Sequence, residues 1–145
     1  MRSLTDRVRQ EIEDLHVFFT EWFNGANEES ELETYLLPRF HSDFTFISPD
    51  GVISDATELE TGFRNGFGKS PGFRILIRDV LVRFVEGDHV LATYTEWQTG
   101  AKNAARPNNA RCSTVFLAVR EHIRWLHLQE TWLPEAVQAA GPFDV

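Results

Sequence analysis

A change of hydrophobic period at Phe73 constrains this chain more than any other feature. Before it, Leu4, Val8, Ile12, Leu15, Phe18, Phe19, Trp22 and Phe23 recur at three- and four-residue steps, the mark of an amphipathic helix with an aromatic C-terminal half. After it the period becomes two: Phe73–Glu86 reads as a long strand, Gly87-Asp88 as a hairpin turn and His89–Thr99 as its return. Arg111–Arg120 and Ile123–Leu133 form a second hairpin around Glu121-His122. Helices first and long antiparallel strands afterwards predict an α+β fold, with helices laid on one face of a sheet.

Between these halves the punctuation is legible. Asn24-Gly25 ends the first helix, because glycine accepts the left-handed conformation that a helix C-terminus favours. The acidic run Glu28–Glu33 leads into Tyr35, Leu36 and Leu37, a second short helix stopped by Pro38. Phe44–Ser48 is a strand, Pro49-Asp50-Gly51 a turn and Val52–Ser54 a short return. Ser54 or Asp55 caps a third helix from Ala56 to about Gly66, with Leu59 and Phe63 on its buried side. Gly66, Gly68, Pro71 and Gly72 mark a loop, Gly100–Asn109 a polar, mobile connection, and the tail after Pro134 has no clear pattern.

The 145 residues are expected to form one domain, 1–145, with a core of about 5–133 and a tail of 134–145. Net charge is −8, which argues against a nucleic-acid footprint. The excess is local: residues 1–60 hold 14 acids and 4 bases, residues 61–145 hold 8 acids and 10 bases. One cysteine, Cys112, excludes an internal disulfide and a cysteine-rich zinc site, and reads as a small buried filler. No apolar run approaches the ~20 residues of a membrane helix. Met1-Arg2-Ser3-Leu4 opens straight into the amphipathic pattern rather than a leader, which predicts a cytoplasmic protein without membrane contact.

Alternation assigns faces. A two-residue turn at Glu121-His122 pairs 117 with 126, 115 with 128, 113 with 130 and 111 with 132, so Leu126, Leu128, Glu130 and Trp132 share a face with Arg111, Ser113 and Val115. A two-residue turn at Gly87-Asp88 pairs 81 with 94 and 79 with 96, which groups Asp79, Leu81, Tyr94 and Glu96. Both faces carry apolar residues, as expected where helices cover one and a partner the other.

The layout resembles the nuclear-transport-factor-2-like superfamily. The residues that carry the likeness are Phe18–Phe23 at the end of the first helix, Phe44–Gly51, Val90–Trp97 and Trp125–Trp132. Within it the chain is most similar to SnoaL-like proteins and the association domain of calcium/calmodulin-dependent kinase. The resemblance implies a cone: a strongly curved, mixed or antiparallel sheet whose concave face is covered by the N-terminal helices and encloses a pocket. It also implies a homodimer through the outer sheet face, here Phe84, Trp97, Phe116 and Trp125. In the kinase domain arginines stand where this chain has the inward Glu96 and Glu130, so that domain's carboxylate-binding role does not carry over.

The inner set collects Asp79, Tyr94, Glu96, Arg111, Glu130 and Trp132 in an otherwise apolar pocket. Buried acids must pair, meet water or take up a proton, and a carboxyl forced towards neutrality suits general acid or base work. Glu96, Asp79, Arg111 and Glu130 are therefore the candidate catalytic groups, with Glu96 or Asp79 as acid or base and Arg111 holding Glu130 or a substrate oxygen. Tyr94, Trp132, Trp22, Phe46 and Leu128 are the candidate ligand contacts. The alternative is that Arg111 bridges Glu96 and Glu130 as a structural ion pair. His16, His41, His89, His122 and His127 lack metal-ligand spacing, so no metal is expected. The glycines match no phosphate loop, and Ser48 and Ser113 belong to no triad pattern. The expected function is binding of a small apolar or cyclic molecule, with isomerase, dehydratase or hydrolase chemistry that needs no cofactor. The competing reading is a non-catalytic association module, favoured if Trp22, Phe46 and Trp132 fill the pocket.

Overall fold

A computed structural model describes residues 2–102, 106–141 and 143. Residues 103–105 of the polar connection, and 142, 144 and 145 of the tail, lie outside the described residues. Helix α1 spans Leu4–Asn24, with the Ser3 hydroxyl accepting from the Asp6 amide at its start and Gly25 at φ 74° at its end. Its apolar stripe, Val8, Ile12, Leu15, Phe18 and Trp22, is almost wholly buried. Each such side chain contributes about 1.5–3 kcal/mol of transfer free energy, and this burial rather than helix propensity holds α1 in place.

The acidic run leads into a wide turn, Leu32–Leu36, followed by a tight turn, Leu37–Arg39, that contains Pro38. Strand β1 (Phe40–Ile47) begins immediately, four residues before the expected Phe44, and β2 (Ile53–Asp55) is its return. Helix α2 (Ala56–Gly66) starts with a reciprocal cap: Asp55 accepts from the Glu58 amide, and Glu58 accepts from the Asp55 amide. Strands β3 (Arg74–Glu86), β4 (His89–Thr99), β5 (Asn109–Val119) and β6 (Ile123–Trp132) follow. Helix α3 (Glu135–Ala140) occupies the tail; its buried Gln138 accepts from the Ala110 amide and donates to the Leu133 carbonyl.

All six strands form one sheet in the order β2-β1-β6-β5-β4-β3, antiparallel except for β1 beside β6. The α+β class and the mixed sheet match expectation; the strongly curved cone does not. The sheet is open. Its edges, β2 and β3, pair with β1 and β4 alone, so nothing draws them together into a closed or cone-like wall.

Register corrects the face assignments in two places. Between β3 and β4 the pairing slips twice, between Val82 and Phe84 and again between Arg78 and Leu81, so Ile77 rather than Asp79 lies opposite Glu96. Asp79 takes φ 57° in this bulge and is exposed, its carboxylate 3.4 Å from the Thr95 hydroxyl on the sheet face away from Glu96. Leu81 therefore turns outward, 48% exposed, and Val82 pairs with Ala92 instead. Between β5 and β6 three residues, Arg120-Glu121-His122, connect the strands, which places Trp125 opposite Leu117, and a slip at Leu126 then restores the expected register. Beyond this slip the expected pairs hold: Val115 with Leu128, Ser113 with Glu130 and Arg111 with Trp132.

The expected outer surface changes with it. Trp125 is fully buried under α1, its indole donating to the Glu11 carboxylate at 2.9 Å. Trp97 does lie on the outer face but is covered, in contact with Phe143. Phe84 and Phe116 alone of the four are exposed. Among the described residues no helix is long and apolar enough to cross a membrane.

Candidate functional site

A cavity of about 420 Å³ opens between α1, α2 and the face of β4, β5 and β6 that they cover. Its apolar walls are Phe19 and Phe23 from α1, Leu59 and Phe63 from α2, Phe40, Phe44 and Phe46 from β1, and Leu128 from β6. Its polar end gathers His16, Glu96, Gln98, Arg111 and Glu130. The alternation of β4 aims Glu96 at this end, and cross-strand pairing sets Arg111 beside Glu96 and Ser113 beside Glu130.

The two carboxylates are held in different ways. Glu96, 4% exposed, lies 3.0 Å from His16 Nε2 and accepts from Gln98 Nε2 at 2.5 Å. His16 Nδ1 sits 2.7 Å from the Ile12 carbonyl. A carbonyl only accepts, so Nδ1 carries a proton, and the contact between Nε2 and Glu96 needs one more. Burial alone would depress the imidazolium, but the Glu96 charge and the Ile12 carbonyl outweigh it and raise its pKa. Burial likewise works against the Glu96 carboxylate, yet His16, Arg111 and Gln98 overcome it and lower Glu96 to about 2.

Glu130, 6% exposed, accepts from Arg111 at 3.0 Å and from the Ser113 hydroxyl at 3.1 Å. Burial and the negative charge of Glu96 raise its pKa to about 7, and Arg111 and Ser113 offset only part of this. Of the two acids Glu130 is therefore the one that takes up a proton first as pH falls. Arg111 also donates to Asn109 at 2.6 Å and lies over the Trp132 ring at 4.8 Å, while its buried Nε has no partner among the described residues. It pairs with Glu130 and does not bridge the acids, because His16 has taken Glu96.

Of the expected catalytic set, Glu96, Arg111 and Glu130 meet in this cavity and Asp79 does not. Phe46 and Leu128 line it. Tyr94 is buried against the His16 ring, 5.4 Å between centroids; among the described residues its hydroxyl has no hydrogen-bond partner, and burial raises its pKa well above the usual range, so the phenol stays neutral. Trp132 faces a neighbouring cavity that shares Phe46 and Arg111, and donates to Asp50 at 2.9 Å. Trp22 lies in the core, donating to the Phe63 carbonyl at 2.8 Å. The residues that would have filled the cavity thus leave it open.

Sequence reasoning missed His16 and Gln98. His16 follows Ile12 by four residues and precedes Phe19 by three, so it belongs to the apolar stripe, where a lone polar residue needs a buried partner. Gln98 shares the face of Glu96 by simple alternation. Among the described residues no group of three or more histidines, cysteines or acids could hold a metal ion.

Comparison with known proteins returns a family model, SnoaL-like domain, over residues 13–131. An NTF-2-like protein of unknown function from Pseudomonas aeruginosa is 33% identical, with 88% of this chain and 98% of that one covered and a TM-score of 0.79. An NTF2-like protein from Cytophaga hutchinsonii is 15% identical over 91% of this chain and 100% of that one, TM-score 0.68. A putative calcium/calmodulin-dependent kinase II association domain from Exiguobacterium sibiricum is 16% identical over 92% and 97%, TM-score 0.66. At these lower identities the likeness is one of fold. No match is found among curated proteins. A family model over most of the chain and a 33%-identical relative of the same fold agree: the chain belongs to the SnoaL-like domain family, within the nuclear-transport-factor-2-like group.

Proposed function

We propose that this chain binds a small, mainly apolar cyclic molecule in the cavity between α1, α2 and the sheet, and moves a proton on it without a cofactor. The observation that carries the reading is the pairing of apolar aromatic walls with one polar end, where Glu130 has a pKa of about 7. A flat ring fits against phenylalanine faces, and a single carbonyl or hydroxyl oxygen on it meets Arg111 and Glu130. Near neutrality Glu130 is populated both with and without its proton, the condition for a general acid or base. Glu96, locked as an ion pair with His16, keeps that proton on Glu130 instead of acting itself. Proton transfer to or from a ring substrate is the chemistry of an isomerase, a dehydratase or a hydrolase.

Native mass spectrometry of the purified protein, followed by thermal shifts against a panel of aromatic and alicyclic ketones and alcohols, tests this. A bound mass of a few hundred daltons, lost in Leu59→Trp, is expected. Undiminished binding together with higher stability in Glu96→Gln would overturn the pocket role of the acids.

The exposed part of the outer sheet face, Phe84 and Phe116, is proposed to meet a second copy of the chain. Sedimentation of Phe84→Asp as a monomer, where the parent sediments as a dimer, would support this; an unchanged species would refute it.

A further inference from the structure

Residues 1–60 carry only four bases, Arg2, Arg7, Arg9 and Arg39. The fold brings three of them, Arg2, Arg7 and Arg39, into one cleft of about 520 Å³ and adds Arg124 from β6. Tyr35 and His122 also line this cleft, which lies between the start of α1, the turn at Leu37–Arg39 and the loop joining β5 to β6. It shares no lining residue with the cavity of Glu96 and Glu130.

Among the described residues three of the four arginines, Arg2, Arg7 and Arg124, converge without an ion-pair partner. Arg7 donates to the Arg120 and Glu121 carbonyls, at 2.6 and 3.4 Å, so its charge meets no carboxylate. Among the described residues neither Arg2 nor Arg124 makes an ion pair or a side-chain hydrogen bond. Arg39 lies over the Tyr35 ring at 4.1 Å and pairs with Glu11, but its buried Nε has no partner among the described residues. Three acids border the cleft, Glu11, Asp14 and Glu121. Glu11 is already bonded to Arg39 and the Trp125 indole, and Asp14 accepts from Gln10.

A chain of charge −8 repels anions at long range, but physiological salt screens that field beyond ~8 Å. Inside the cleft the nearest charges decide, and guanidinium groups match carboxylate and phosphate oxygens two at a time. We propose that this cleft is a second binding site, for a small anion of at least two charges, a phosphoryl group or a polycarboxylate, held by Arg2, Arg7 and Arg124 with Arg39 fixed behind them.

Thermal unfolding and calorimetric titration with sodium phosphate, trisodium citrate and sodium chloride at matched ionic strength test the proposal. Saturable protection by phosphate or citrate in the millimolar range or tighter is expected, with none from chloride; the tighter of the two identifies the anion class. Arg124→Glu and Arg2→Glu should each weaken binding by about tenfold or more, and Arg124→Gln by less. Arg9→Glu makes the same charge change outside the cleft and should leave affinity within about twofold of the parent. Equal protection by chloride, no saturable binding by either multivalent anion, or an Arg9→Glu loss as large as that of Arg124→Glu would overturn it.

Discussion

Glu96 and Glu130 are the same residue type on the same wall, with one strand between them, and their surroundings shift their pKa values in opposite directions. Glu96 meets an imidazole whose other nitrogen is committed to the Ile12 carbonyl, so the pair holds a charge on each side. Glu130 meets an arginine shared with Asn109, and faces the charge of Glu96. Proximity to a cation does not by itself lower a buried acid. What matters is whether that attraction exceeds the loss of water plus the repulsion of neighbouring acids, and only Glu96 passes that test.

Removing the partner of Glu96 should break the contrast with the largest effect. His16→Leu leaves a buried carboxylate with Gln98 alone in hydrogen-bond contact, and should cost about 3–5 kcal/mol in urea unfolding at pH 7. The loss should shrink at pH 4, where the stranded acid can take up a proton. Equal losses at both pH values would show that His16 matters for packing alone.

Glu130 predicts a pH slope of its own. Below the ordinary 4.5 it is protonated in folded and unfolded chains alike, and between 4.5 and about 7 only the folded chain keeps its proton. Stability should therefore fall as pH rises through that window and level off above it, by about 3 kcal/mol at most. Glu130→Gln should remove this component, so denaturation of parent and variant at pH 5 and pH 8 would differ in slope. Parallel profiles would assign the neutral-range titration elsewhere.

A gentler change sharpens the same comparison. Glu96→Gln removes the negative charge that holds the proton on Glu130, and should move its midpoint down by about one pH unit, read from the carbon resonances of labelled carboxyls. The smallest effect is expected at Asp79. Asp79→Gly relieves a left-handed conformation without touching the cavity, and should stabilise the fold by roughly 0.5–1 kcal/mol with ligand binding unchanged.

Elements were legible in the sequence wherever periodicity and caps act over a few residues. The ends of α1, the capped start of α2 and the limits of β4 are set by Asn24-Gly25, Asp55 and the Gly87-Asp88 turn. Faces were misread beside the bulges and legible elsewhere. Alternation placed Glu130, Ser113 and Arg111 together because the three-residue connection and the slip at Leu126 cancel before these pairs are reached, but it misplaced Asp79 and Trp125, each next to one extra residue. A bulge leaves little trace in hydrophobic pattern, since Val80 and Leu81 are both apolar and either parity reads well. The site suffered the same limit across elements. His16 meets Glu96 over eighty positions of chain, and only the docking of α1 onto the sheet brings them together.

The bulge at Asp79 also bears on how these molecules behave when crowded. Strand β3 spans thirteen residues at an open edge, with one side of its backbone unpaired, a template on which another chain could stack. The left-handed kink near its middle and the second slip beyond Val82 divide that edge into short runs pointing in different directions. Arg74, Arg78 and Arg83 add repelling charge along it. A stray strand can match only a few residues before register fails, so the bulge that took Asp79 away from the cavity also makes β3 a poor template for fibrous stacking.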